Sequence, residues 1–308
     1  MYRFKEQGEI VLDNQTGLMW TKDASLSDFP MTWNEALSFI KDLNHSGLSG
    51  HSDWKLPNRR ELFSIISHQR INPSLPAAHP FVNVFPGYYW TSTTCARLPD
   101  QAWYIHLGGA RVFKGMKHGS YMVWPVRVAE KHNAQRVFQT GQQVCFSEKG
   151  AVVDCDHTGQ DGEFKSGLRF GKNRFAEKTQ HILDQATGLT WLKNANVFTE
   201  PVDWQAAMDL VMQMNAERKF GHDDWRLPGI LELEALMDMG RHSPALPADH
   251  GFSDVQRYYW SATTSMYDTR YAWVLYMIDG AVGVGYKPSS EFYTWPVRGK
   301  GIVSGWPA

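Results

Sequence analysis

The chain is short of cysteine, short of long apolar runs, and has no excess of either charge. Only Cys95, Cys145 and Cys155 occur among its 308 residues, and no C-x-x-C or Cys/His spacing suits a zinc site. No run approaches the ~18 apolar residues that a membrane-spanning helix needs. Lys and Arg number 31 against 32 Asp and Glu, a net of −1, which gives no reason to expect a nucleic-acid partner. The opening Met1-Tyr2-Arg3-Phe4 lacks the apolar core of a secretory leader, so either the protein is cytosolic or a leader has been removed from this numbering. Long Ala/Leu/Glu/Lys stretches are scarce too, which argues against a helical bundle.

Aromatic residues are what the chain has in quantity. Its 13 Trp, 16 Phe and 12 Tyr are far more than a disordered chain carries. Together with 26 Gly they favour a sheet-rich fold with a few helices.

An internal repeat decides the architecture. Asp13-x-x-Thr16-Gly17-Leu18-x-Trp20 recurs as Asp184-x-x-Thr187-Gly188-Leu189-x-Trp191. His51-x-Asp53-Trp54-Lys55-Leu56-Pro57 recurs as His222-x-Asp224-Trp225-Arg226-Leu227-Pro228, and Trp33 recurs as Trp204, all at an offset of 171. Tyr88-Tyr89-Trp90 matches Tyr258-Tyr259-Trp260 at 170, and Trp124-Pro125-Val126-Arg127 matches Trp295-Pro296-Val297-Arg298 back at 171, so two single-residue indels separate the copies. Each copy is long enough for its own core. The division expected is a first domain at 1–128, a linker at 129–172, a second domain at 173–300 and a tail at 301–308.

Within a copy, Thr32 and Glu35 form a capping box, and Trp33, Ala36, Leu37, Ile40 and Leu43 follow helical spacing. The second copy repeats this from Asp203. A second helix is expected after Leu56-Pro57, capped by Asn58 with Glu61. Period-two alternation then places Trp103, Ile105 and Leu107 opposite Tyr104 and His106, and Gly108-Gly109 turns the strand into a hairpin reaching Phe113. Tyr121 to Val128 reads as a closing strand. The fold class is α+β, with two helices followed by an antiparallel sheet in each copy. Trp20, Trp33, Trp54, Trp90 and Trp124 read as core. His51 and Asp53 read as a turn bonding its own backbone rather than an acid–base pair.

The motif set DNQTGLMW, HSDWKLP with EL, YYWTSTT and WPVR, present twice, resembles the family named after the C-terminal domain of the Legionella collagen-like adhesin. The segment from Gln139 through Cys145, Cys155 and Glu163 is similar to what precedes such domains. The resemblance implies two tandem C-type lectin-like domains, each with two helices on a twisted antiparallel sheet. It also implies a secreted or surface-exposed bacterial protein and, by the named member, binding of sulfated polysaccharides. Two departures stand out. The Glu-Pro-Asn and Trp-Asn-Asp motifs of calcium-dependent sugar binding do not occur. The active-site cysteine pair of the related formylglycine-generating enzymes is missing, since Cys95 is alone and its counterpart is Ser265.

No nucleophile–base arrangement recurs in both copies, so neither a catalytic residue, nor a metal ligand, nor a cofactor is expected. Asp154-x-Asp156-x-Thr158-Gly159 opens like a calcium loop but has Lys165 where the closing Glu belongs, and reads as an acidic turn. Cys145 and Cys155 flank a Glu148-Lys149-Gly150 turn and are expected to form a disulfide, which needs an oxidising compartment. Charge separates the copies. Residues 2–128 carry 13 basic against 10 acidic groups, and 173–299 carry 11 against 16. The candidate ligand face is therefore on the first copy, from Tyr104, His106, Arg111, Lys114, Lys117 and His118, and would suit an anionic glycan. The other reading is a subunit of a surface filament or larger assembly, a homo-oligomer or a partner of another surface protein.

Overall fold

The computed structural model describes residues 2–129 and 136–301. The chain divides into two compact units, Met1–Arg169 and Phe170–Ala308. In chain order the first holds β1 (Phe4–Gln7), β2 (Ile10–Asp13), β3 (Leu18–Thr21), α1 (Trp33–Ser46), α2 (Arg59–Ser64), β4 (Tyr88–Thr94), β5 (Gln101–His106), β6 (Val112–Met116), β7 (Val126–Val128), β8 (Cys145–Phe146), β9 (Val152–Val153) and α3 (Asp161–Phe164). The second holds β10 (Phe175–Glu177), β11 (His181–Asp184), β12 (Leu189–Leu192), α4 (Trp204–Ala216), α5 (Ile230–Ala235), β13 (Tyr258–Thr264), β14 (Tyr271–Tyr276), β15 (Ala281–Tyr286) and β16 (Val297–Arg298). Both are sheet-rich with few helices, and the two halves share one plan.

Each copy begins and ends in the same small sheet. Strands β1, β2 and β3 run antiparallel in sequence, and β7 closes the sheet against β3. The D-x-x-T-G motif is the β2–β3 turn. Gly17 sits at φ +72, and its amide donates to the Asp13 carbonyl at 2.8 Å. Glycine enters that left-handed region without a Cβ clash, so the motif needs it there. These three strands precede the first helix, which corrects the expectation of helices first and sheet after. They are four residues each, too short for alternation to announce them. The closing strand is likewise shorter than Tyr121–Val128. Only Val126–Val128 pairs as a strand, because Pro125 supplies no N–H to extend the ladder.

The helices start where their caps lie. The Thr32 hydroxyl accepts from the Glu35 amide, and the Glu35 carboxylate accepts from the Thr32 amide at 2.9 Å. Asn58 and Glu61 repeat the box for α2. Strands β4, β5 and β6 form an antiparallel sheet with a helix on each face. α1 packs by Trp33, Ala36, Leu37 and Ile40 against Trp90 and Ala102. α2 lies on the other face, where the Arg59 guanidinium sits 4.9 Å from the Trp103 ring.

The repeated tryptophans are the core, at most 1% exposed in the first copy. Several also use the indole N–H. Trp33 donates to the Thr91 carbonyl at 2.8 Å, Trp90 to Met31 at 2.9 Å and Trp124 to Thr21 at 3.0 Å. Trp204, Trp260 and Trp295 repeat these bonds to Ser261, Val202 and Leu192. Truncating such a side chain to Ala typically costs about 3–5 kcal/mol.

The segment expected to be a linker does not stand apart from the first copy. Its residues 136–169 lie in the first unit. The Asp161 carboxylate accepts from Thr93 at 2.7 Å and from Thr140 at 2.6 Å. Arg60 donates to the Gln139 carbonyl at 2.6 Å, and Asn58 to the Ser166 carbonyl at 3.1 Å. Gln142 brackets Thr94, accepting from its amide at 2.9 Å and donating to its carbonyl at 2.7 Å. A disulfide joins Cys145 to Cys155 across the β8–β9 hairpin, with Cα atoms 5.2 Å apart. Residues 130–135 of the expected linker and 302–308 of the expected tail lie outside the described residues.

Candidate functional site

Register builds the site. The antiparallel pairing sets Tyr88 opposite His106, Trp90 opposite Tyr104, and Tyr104 opposite Phe113. Directly paired residues share a face of the sheet. At the hairpin end the His106 amide donates to the Arg111 carbonyl at 2.9 Å, which places Arg111 beside His106. Tyr121 joins from the chain between β6 and β7. Ring centroids lie 4.9 Å apart for Tyr88 and Tyr104, 4.8 Å for Tyr88 and His106, and 4.8 Å for Tyr104 and Tyr121. Trp90 floors the cluster, 4.4 Å from Tyr121. Gly115 makes room for it, since a Cβ there would stand 2.6 Å from the Tyr121 hydroxyl.

The face is partly open. Tyr88 is 44% exposed, Phe113 42%, and Arg111 is exposed. Among the described residues the Arg111 side chain has no ion pair. Burial pushes the Tyr104 hydroxyl up to about 12, helped by the neighbouring Tyr121 and Tyr88 and opposed by Arg111. Burial, and then the charge of Arg111, holds His106 below the usual imidazole range, so the ring is largely neutral at pH 7. Tilted rings beside one guanidinium offer flat apolar surfaces and a fork of donors for an anionic group.

The sequence-derived set is thus split. Tyr104, His106 and Arg111 come together. Lys114 pairs with Trp103 in register, so its stem leaves from the other face, and its ammonium lies 5.5 Å from that ring and 4.5 Å from the Phe113 ring. Lys117 is 1% exposed and structural. Its ammonium lies 4.2 Å from the Trp33 ring and donates to the Phe146 and Ser147 carbonyls at 3.2 and 3.0 Å. Burial pulls it down to about 8. The duplication carried the signal for this, because Lys287 lies over Trp204 in the same way, at 4.1 Å. His118 is exposed in the turn after Lys117. Sequence reasoning missed Tyr88 and Tyr121. Tyr88 stands two residues before Trp90, and that spacing alone puts the two on one face.

In the second copy the corresponding residues are Val274 for Tyr104, Tyr276 for His106, Ala281 for Arg111 and Phe292 for Tyr121. Tyr258 still meets Tyr276 at 5.1 Å, but the cation is gone. Two depressions open on this copy. One of about 440 Å³ is lined by Val197, Phe198, Met214 and Phe220. The other, of about 450 Å³, has Arg218 paired with Asp223 and Arg298 with Asp224.

The recurring acid motif proves to be a brace. Asp53 is held by Arg127 through two bonds, at 2.7 and 3.1 Å, and Asp224 by Arg298 at the same distances. Asp224 also bonds its own backbone, as expected of the turn, and the arginine from the closing strand is the partner that expectation lacked. Arg3 and Arg174 similarly hold Asp13 and Asp184. In the acidic turn Asp154 accepts from the Asp156 amide at 3.0 Å, and Glu163 from the His157 and Gly159 amides at 3.1 and 2.6 Å.

The profile of the Lcl C-terminal domain matches residues 9–127 and again residues 180–298. No curated protein matches the chain. Among the described residues no helix is long and apolar enough to cross a membrane.

Proposed function

We propose, for a chain that belongs to the Lcl C-terminal domain family in two copies, a non-catalytic role outside the cell in which the first copy binds an anionic glycan. The observation that carries this reading is the half-open cluster of Tyr88, Tyr104, His106 and Tyr121 beside Arg111. Sugar rings stack on such faces, and a sulfate or carboxylate suits the guanidinium. A non-catalytic role is supported by the pairing of Asp53 and Asp224 with arginines. Secretion is supported by the Cys145–Cys155 disulfide, since such bonds persist in oxidising compartments. The arrangement of two helices about an antiparallel sheet suits a C-type lectin-like fold. The alternative, a subunit of a surface assembly, is favoured by an uncovered face of the second copy.

Heparin and dextran sulfate titrated into the full chain test the glycan reading. Binding should weaken with salt, as exposed charges are screened beyond about 8 Å at ~0.15 M. Losing a charged hydrogen bond with Arg111→Ala should weaken it roughly ten- to hundredfold. Tyr88→Ala should also weaken it. No binding, or binding indifferent to Arg111→Ala, refutes the site.

A further inference from the structure

The two copies differ in what covers one end of their sheet. In the first copy, residues 136–169 seat on the second half of β4, the start of α2 and the Trp33–Lys117 pair. Thr91, Ser92, Thr93, Thr94 and Cys95 are all buried beneath or beside it. The second copy builds the same seat. The Thr263 hydroxyl accepts from the Ile230 amide at 3.1 Å, as Thr93 does from Arg59 at 2.9 Å. The Ala262 amide donates to Pro228 at 2.7 Å, as Ser92 does to Pro57 at 2.8 Å. The strand pairing breaks at the same place, between Trp260 and Thr264 as between Trp90 and Thr94. Yet Ala262 is exposed, and Thr263, Thr264, Lys287 and Trp204 are only half-buried, whereas Ser92, Thr93, Thr94, Lys117 and Trp33 are buried. Among the described residues nothing in the second copy takes the part of the segment 136–169.

We infer that this face of the second copy is a docking site for a disulfide-clasped segment of the same kind, supplied by another chain. The first copy shows what such a segment must bring. It needs a carboxyl for the Thr263 hydroxyl, as Asp161 meets Thr93. It needs a side-chain amide for the Thr264 backbone, as Gln142 brackets Thr94. It needs hairpin carbonyls for Lys287, as Phe146 and Ser147 meet Lys117. The seats also differ, and the difference sets specificity. Asn58, Arg60 and Ser92 of the first are Gly229, Leu231 and Ala262 in the second. The bonds that Asn58 and Arg60 make to Ser166 and Gln139 have no counterpart donors there. Two backbone carbonyls of a docked segment therefore meet Gly229 and Leu231 instead of side-chain donors. This site is independent of the glycan face on the first copy.

A synthetic oxidised peptide of residues 136–169, fluorescently labelled and titrated into the full chain, tests the inference. It should bind saturably and weakly below ~1 mM, because two of its anchoring bonds are lost on the apolar seat. Ala262→Arg changes only an exposed side chain and should weaken binding at least about tenfold. Lys287→Met should weaken it several-fold. No saturable binding up to ~1 mM overturns the inference. So does binding that ignores both Ala262→Arg and Lys287→Met.

Discussion

The duplication supplies a matched experiment on buried charge. Arg174 holds Asp184 through two bonds, at 2.8 and 2.6 Å, and donates a third to the Ala235 carbonyl at 2.7 Å. Arg3 makes the same three contacts, to Asp13 at 3.1 and 2.9 Å and to the Ser64 carbonyl at 2.7 Å. Both carboxylates are fully buried, but the Arg174 side chain is 3% exposed and that of Arg3 is 25%. Replacing either arginine by Met keeps the stem and strands a carboxylate. Where water cannot reach, an unpaired buried charge costs about 3–5 kcal/mol. Where water already reaches the partner, solvation recovers much of that, and about 1–2 kcal/mol is expected. Hydrogen exchange read by mass spectrometry separates the two sheets. At about 1.4 kcal/mol per decade, Arg174→Met should accelerate exchange at Ile182–Asp184 by roughly two to three and a half orders of magnitude. Arg3→Met should accelerate Val11–Asp13 by roughly one. Adding Asp184→Asn to Arg174→Met removes the stranded charge and should restore most of the protection. If Arg3→Met costs as much as Arg174→Met, burial does not set the magnitude and the reasoning fails.

Reducing the Cys145–Cys155 disulfide releases a loop of ten residues' separation and should cost about 2–3 kcal/mol, read as faster exchange over 142–155 with β1–β3 unchanged. The Asp161 carboxyl is pushed up to about 6 by burial, so the folded chain holds its proton more readily than the unfolded one. Seating of 136–169 should then be firmest below about pH 4, weaken as pH rises through about 6 and level off above it; after correction for intrinsic exchange rates, Asp161→Asn should remove that dependence. Lys117→Met should loosen the β8–β9 hairpin while keeping cover over Trp33, and near-ultraviolet circular dichroism should change less than exchange at Phe146 and Ser147 does.

The sequence by itself determined the duplication, the helix starts, the tryptophan core and the disulfide. Each rests on a pattern a few residues wide or on an offset visible along the chain. Thr32 and Glu35 must meet if a helix begins there, and Trp103 and Tyr104 must face opposite ways on a strand. The sequence also placed Tyr104, His106 and Arg111 in one candidate face. Only the tertiary structure decided what that face includes and what it excludes. Tyr88 and Tyr121 enter it through the pairing of β4 with β5 and through the chain that returns to β7. Lys117, basic and near the hairpin in sequence, is taken inward by Trp33 and by a segment some thirty residues downstream. Arg127 meets Asp53 across 74 residues. Local spacing cannot report such pairs, because they are settled by sheet register and by the closure of each copy on its own beginning.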